Sequence, residues 1–208
     1  MKLEVKNLEK KFKDFTAVNN INFCINEGQT LGVLGPNGCG KTTTIGMLLG
    51  LIKPSKGEIL INEEKFEKLN RESILSKFNF ASPYVELPKK LTVQENLEIY
   101  GRLYSVENLT KRIQEITEDL NLGSFIKKKT GELSSGQKNR VSLAKSLINK
   151  PKILFLDEPT ASLDPDIGDF VRKYIEEYKS KNKISILLAS HNMKEVERLC
   201  DQVIMMKE

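Results

Sequence analysis

The spacing of apolar and polar positions changes period along the chain. Near the N-terminus the period is two: Leu3-Glu4-Val5 alternates, and Ile21, Phe23 and Ile25 repeat between Asn-rich turns, as in a half-buried antiparallel ribbon. Residues 29–34 (QTLGVL) and 57–61 (GEILI) read as two more strands. Over residues 83–147 the period lengthens to that of helices. Thr92-Val93-Gln94-Glu95 is a capping box, with Leu97, Tyr100, Leu103 and Tyr104 behind it at helical spacing. A second helix carries Leu109, Ile113, Ile116 and Leu120 on one face, and a third carries Val141, Ala144, Leu147 and Ile148 before Lys150-Pro151 ends it. Ile153-Leu154-Phe155-Leu156 is then apolar without interruption, which suits a central parallel strand buried on both faces. Residues 184–188 form another apolar strand, and Asn192 caps the helix that follows. These elements predict an α/β fold, a mostly parallel sheet flanked by helices, with an antiparallel β part at the N-terminus and a helical insertion at about 83–147, in one domain over 1–208.

Composition agrees with that size of core. The 208 residues are 39% hydrophobic and 29% charged, and 33 basic against 28 acidic side chains leave a net charge of +5. The charges are spread along the chain apart from Lys127-Lys128-Lys129, so a solvated basic surface is the default over nucleic acid or an anionic membrane face as the weaker reading, and no direct nucleic-acid contact is expected. Cys24, Cys39 and Cys200 are too scattered for metal pairs, and no signal peptide opens the chain, which predicts a reducing cytoplasm. No apolar run approaches the roughly twenty residues needed to span a bilayer. Any membrane part is expected from another chain.

The chemistry begins at Gly35-Pro36-Asn37-Gly38-Cys39-Gly40-Lys41-Thr42-Thr43, which reads G-x-x-x-x-G-K-T between an apolar strand and an apolar helix predicted over 43–49. This is a phosphate-binding loop: its glycines let several backbone N–H groups converge, and the helix start adds partial positive charge. Lys41 can reach the β- and γ-phosphates, and the Thr42 hydroxyl is placed to ligate Mg²⁺. A second run, Leu133-Ser134-Ser135-Gly136-Gln137, puts small hydroxylated residues and a glycine at a helix start. The buried strand at 153–156 closes on Asp157 and Glu158, where ligands bind in α/β sheets. His191, the only histidine, lies at a strand-to-helix turn, and Phe12 and Phe15 each offer a face for a flat ring or for core packing.

In this order the motifs resemble those of the nucleotide-binding domain of ATP-binding cassette (ABC) proteins, over nearly the whole chain. Residues 35–43 resemble Walker A, 133–137 (LSSGQ) the signature motif and 153–158 (ILFLDE) Walker B. Ser162-Leu163-Asp164 resembles the D-loop, and His191 the switch histidine. The resemblance implies a P-loop NTPase fold, ATP and Mg²⁺ as ligands, and hydrolysis of ATP to ADP and phosphate. Asp157 would hold Mg²⁺, Glu158 would orient or deprotonate the attacking water, and His191 would contact the γ-phosphate through its side-chain N–H. Phe12 rather than Phe15 matches the aromatic that stacks on adenine. Ser134, Ser135, Gly136, Gln137 and Asp164 would serve the nucleotide of a partner domain.

Two positions depart from the family. A glutamine usually precedes the helical lobe, but the corresponding stretch here is Phe80-Ala81-Ser82-Pro83-Tyr84, so Ser82 or Pro83 takes its place. A serine can ligate Mg²⁺ or a water yet reaches less far, which bears on hydrolysis rate and coupling. Ser135 stands where a second glycine is commoner. One copy of each motif implies a head-to-tail dimer with itself or a paralogue, around two nucleotides. The implied role is the ATPase subunit of a transporter, more an exporter than an importer, peripheral on the inner face of the cell membrane and working with a separate transmembrane permease. Two alternatives are a soluble ABC ATPase acting on DNA, ribosomes or cluster assembly, and a nucleotide-dependent switch without useful turnover. The first lacks a cysteine cluster and room for a long coiled coil between Lys41 and Leu133; the second is opposed by intact Asp157, Glu158 and His191. The family usually carries further strands after the position where this chain stops.

Overall fold

The computed structural model describes residues 1–67, 70–83, 85–161 and 163–207. In chain order the elements are β1 (Leu3–Phe12), β2 (Phe15–Ile25), β3 (Thr30–Leu34), α1 (Lys41–Leu48), β4 (Lys56–Ile61), β5 (Glu64–Lys65), α2 (Arg71–Leu75), β6 (Phe78–Ala81), α3 (Val93–Leu103) and α4 (Leu109–Asp119). A 3₁₀ turn at Thr130–Glu132 leads to α5 (Ser135–Leu147), β7 (Ile153–Asp157), α6 (Pro165–Asn182), β8 (Ser185–Ser190), α7 (Met193–Leu199) and β9 (Gln202–Met205). The strands form two sheets, an antiparallel one in the order β2-β1-β4-β5 and a parallel one in the order β6-β7-β8-β3-β9.

The uninterrupted apolar run at 153–156 is explained by β7's place inside the parallel sheet. Ile153 and Phe155 pack with β1, β4 and α1, while Leu154 and Leu156 pack with α3, α5 and α6 on the other face. Phe155 meets Phe78 of β6 edge to face, with ring centroids 5.4 Å apart. Each face of the strand therefore seals its own apolar core, and polar residues would be unpaired on either side.

Several elements differ from the sequence expectation. β1 extends to Phe12 although alternation is legible only over Leu3–Val5, because register shifts follow Val5, Leu8 and Lys10 and Asn7 takes φ 49°. A bulge inserts a residue and breaks the period of two while the ladder continues. The phosphate-loop helix begins at Lys41 rather than residue 43. Leu103 is 72% exposed although its spacing groups it with Leu97, Tyr100 and Tyr104. At 100° per residue it lies well off the stripe that Leu97 and Tyr104 share. α6, with Pro165 in its first turn and Val171, Tyr174, Ile175 and Tyr178 buried, adds a helix beyond those expected, although its spacing is helical.

β6 is the edge strand of the parallel sheet, yet its outward carbonyls are not bare. Side chains on one face of α5 and just beyond it meet them in turn. Asn149 Nδ2 donates to Phe78 O at 3.1 Å, Lys145 Nζ to Phe80 O at 3.0 Å, and Ser142 Oγ to Ser82 O at 3.5 Å. The helix spacing of three to four residues matches the strand spacing of two, so α5 substitutes for a neighbouring strand. Lys145 also lies 5.3 Å from the Tyr100 ring of α3.

Candidate nucleotide-binding site

Parallel pairing brings three chain turns to one edge of the sheet. β3 and β8 align Leu34 with Ser190, and β7 and β8 align Asp157 with Ala189. The residues that follow, Gly35, Glu158 and His191, therefore emerge side by side at the carboxyl ends of the strands.

The loop from Gly35 to Gly40 is shaped by contacts as well as by sequence. Gly40 has φ 98°, and a Cβ there would lie 2.2 Å from Ala17 O of β2, so both the backbone and the space require glycine. A Cβ on Gly35 would meet Cys39 Sγ and Met206 O at 2.6 Å. Cys39 is thus a buried packing residue of the loop, whereas Pro36, Asn37 and Gly38 are exposed at its crest. The first turn of α1, from Lys41 to Thr43, leaves its backbone N–H groups without intrahelical acceptors, as a helix start does. Lys41 is buried, and its Nζ donates to Gly35 O at 2.7 Å and Pro36 O at 2.9 Å, bridging the loop.

Opposite lie the carboxylates. Thr42 Oγ1 donates to Asp157 Oδ2 at 2.9 Å. Burial pushes the Asp157 carboxyl above its ordinary range and the Glu158 charge adds to this, against the Thr42 hydrogen bond and Lys41. A buried carboxylate beside a hydroxyl, with ionisation opposed by its surroundings, is a donor set suited to a hard cation such as Mg²⁺. Glu158 has φ 52°, a left-handed conformation that a non-glycine residue adopts at a cost of about 1–2 kcal/mol. Its N–H donates to Ala189 O at 2.8 Å, which holds it there. The side chain is buried, and Oε1 accepts the His191 N–H at 3.0 Å, faces His191 Nδ1 at 2.7 Å and lies 3.8 Å from Lys41 Nζ. With a carboxylate as partner, Nδ1 is the ring nitrogen that donates, to Glu158 Oε1. A γ-phosphate contact through a ring N–H then calls on Nε2, or on release of Nδ1 from Glu158.

The other expected residues are placed elsewhere. Phe12, 46% exposed, and Phe15, 62% exposed, stand at the tip of the β1–β2 hairpin, and neither is core. Lys10 Nζ lies 4.7 Å from the centre of the Phe12 ring. Ser134 caps α5 and forms a reciprocal box with Gln137. Gly136 packs against Ile167 of α6, where a Cβ would come within 2.8 Å of its Cδ1. Ser135 is exposed at the first helical position, so the departure from glycine costs no space. Asp164 caps α6 and is exposed; Ser162, read with it, lies outside the described residues. Among the described residues no hydrogen bond or ion pair joins Ser134–Gln137 or Asp164 to Lys41, Asp157 or Glu158. Ser82 is buried and lines, with Leu133, Ser135 and Leu163, a cavity of about 280 Å³ beside the start of α5. Three residues that sequence reasoning missed adjoin the cluster. Asn139 Nδ2 donates to Pro159 O at 2.6 Å, and Ser190 and Glu195 bond each other behind Glu158.

A family model described as ABC transporter matches residues 18–161. The chain belongs to the ABC transporter family. Its cassette is 36% identical over 208 residues to the Nod factor export ATP-binding protein I of Burkholderia lata, covering 99% of this chain and 68% of that protein. It is 35% identical to the uncharacterized ABC transporter ATP-binding protein YhcH of Bacillus subtilis, covering 99% and 67%. Among solved structures, the ATP-binding cassette MJ0796, dimeric in a post-hydrolysis state with ADP and Pi, superposes with a TM-score of 0.88 at 27% identity, over 99% of this chain and 94% of that one. The cbiO1 structure from Clostridium perfringens, part of the transporter complex cbiONQ, gives 0.83 at 30% identity, over 99% and 84%. The cassette thus has the P-loop NTPase fold and is an ATP-binding and ATP-hydrolysing subunit of an ABC transporter.

Proposed function

We propose that this cassette hydrolyses Mg-ATP with Glu158 as the general base, and that the energy drives export through a separate transmembrane permease at the cytoplasmic face. The observation that carries the reading is Glu158 itself: a buried carboxylate in a strained left-handed conformation, tied to His191 and 3.8 Å from Lys41. Phe12 offers its exposed face to adenine, and the loop N–H groups and Lys41 bind the phosphates. Thr42 and Asp157 would hold Mg²⁺, which would supply charge neutralisation to the phosphate groups. Glu158 takes a proton from water as the water oxygen bonds to the γ-phosphorus. The bond to the β–γ bridging oxygen breaks, and ADP leaves with that electron pair.

Ser134–Gln137 and Asp164 lie away from the chain's own Lys41 cluster, which supports a second cassette, a copy or a paralogue, completing each site head to tail. Two relatives named for Nod factor export, 36% and 35% identical, support the export direction. Among the described residues no helix is long and apolar enough to cross a membrane, so the permease is a different chain or segment. Glu158→Gln should lower turnover by about 100-fold or more while ATP binding persists; turnover at the native rate would refute the base assignment. Capture of the protein from detergent-extracted membranes with Mg-ATP should recover a stoichiometric integral membrane protein. Recovery with ribosomal or DNA-repair proteins instead would refute the transporter pairing.

A further inference from the structure

Behind Glu158 lies a buried carboxylate that phosphate binding does not use. Glu195, in the first turn of α7, is 1% exposed, and among the described residues no cation pairs with it. Its two oxygens are shared between hydroxyls on the two chain turns that frame the site. Thr160 Oγ1 donates to Oε1 at 2.6 Å, and Ser190 Oγ donates to Oε2 at 2.7 Å. Thr160 follows Glu158 by two residues, and Ser190 immediately precedes His191.

Ser190 has a single proton and two carboxylates within reach. Glu195 Oε2 lies at 2.7 Å and Glu158 Oε2 at 3.4 Å, while the Asn192 N–H donates to the same Oγ at 3.1 Å. A charge-assisted O–H···O⁻ bond is strongest near the shorter distance, so the proton lies toward Glu195. Glu158 is then held through Oε1 alone, by the backbone and ring of His191. Its Oε2 keeps a lone pair uncommitted.

We propose that Glu195 is a positioning residue for hydrolysis, which holds the Ser190 proton away from Glu158 so that Oε2 stays free to accept the proton of the attacking water. The proposal rests on Glu158 being the base. A glutamine at 195 offers one acceptor and one donor to two hydroxyls. With its amide N–H toward Ser190 and its oxygen toward Thr160 every group is paired, provided that Ser190 turns its proton to Glu158 Oε2. That hydrogen bond stabilises the charged base and occupies its reactive lone pair.

Glu195→Gln should therefore reduce kcat about tenfold or more with the KM for ATP within about twofold. The deciding comparison is the double variant Glu195→Gln with Ser190→Ala. Removing the hydroxyl frees Oε2 again, so the double variant should turn over faster than Glu195→Gln alone. Glu195→Asp, which keeps two acceptors, should also exceed the isosteric glutamine. A purely structural role would rank the shortened aspartate lower and make the double variant no better. A native kcat in Glu195→Gln, or no recovery in the double variant, overturns the proposal. Loss of turnover in Glu158→Gln beside either result shows that the base assignment stands on its own. Should Glu195→Gln not fold, neutron diffraction from the native protein decides: a deuteron on Ser190 directed at Glu195 supports the proposal, and one directed at Glu158 overturns it.

Discussion

Glu158 shows how one residue can work against the fold that holds it. Its left-handed backbone costs about 1–2 kcal/mol, and glycine would adopt that conformation freely. Glu158→Gly is expected to melt no lower than the native chain while losing turnover, the usual opposition of stability and activity at a strained site. Differential scanning fluorimetry beside a phosphate-release assay checks both halves. A fall of several degrees would mean that the side-chain bonds to His191 outweigh the strain. Phe12 makes a different residue-scale case. Its ring is exposed at the hairpin tip, and an aromatic–base stack contributes about 1–3 kcal/mol. Phe12→Ala should weaken ATP binding by about tenfold, and Phe15→Ala by less than about twofold, as titration calorimetry would read. Equal losses would assign the adenine face to the hairpin tip as a whole.

At the scale of elements, α5 ties the Ser134–Gln137 stretch to the edge of the parallel sheet. It starts in the Ser134–Gln137 motif and is fastened along β6, the strand that runs into Ser82, by Ser142, Lys145 and Asn149. Lys145 is the most revealing rung, because its ammonium meets carbonyl and amide oxygens and an aromatic face, and among the described residues no carboxylate pairs with it. Burial pushes its pKa down to about 8. A lysine lowered in the folded state is a stability cost that is fully present below pH 8 and is relieved as pH rises toward the unfolded value near 10.5. The limit is about 3 kcal/mol, less whatever solvent screening removes. Urea denaturation of the native chain and of Lys145→Met at pH 7.5 and pH 10 should show the difference moving in favour of the native chain by about 1–3 kcal/mol. A pH-independent difference would mean that the ammonium is solvated.

At the scale of the whole molecule, the proposed head-to-tail pairing makes each cassette half of a site. Ser134, Ser135 and Asp164 are exposed; Ser134 and Gln137 are held by their reciprocal capping box, and Asp164 stands at the N-cap of α6. Glu158→Gln with Mg-ATP is expected to shift from monomer to dimer as concentration rises in sedimentation velocity, and to return to monomer on nucleotide removal. A strict monomer at high concentration would require a paralogue as the second half.

The chemistry was legible in the sequence because each motif is local. Gly35–Thr43, Leu133–Gln137 and Ile153–Glu158 each state a strand end or helix start within nine residues, and short-range sterics suffice to read them. β7 was legible for the same reason, since burial on both faces writes an unbroken apolar run. The remainder of β1 was not, because the bulge at Asn7 is settled by pairing with β2 and β4. Phe12 could be told from Phe15 only through resemblance, since exposure depends on what the hairpin packs against. Tertiary structure alone decided which hydroxyls meet which carboxylates. Thr160, Ser190 and Glu195 are up to 35 residues apart and carry no pattern. Only the parallel register of β7 with β8, and the capped turn into α7, bring their side chains together behind Glu158.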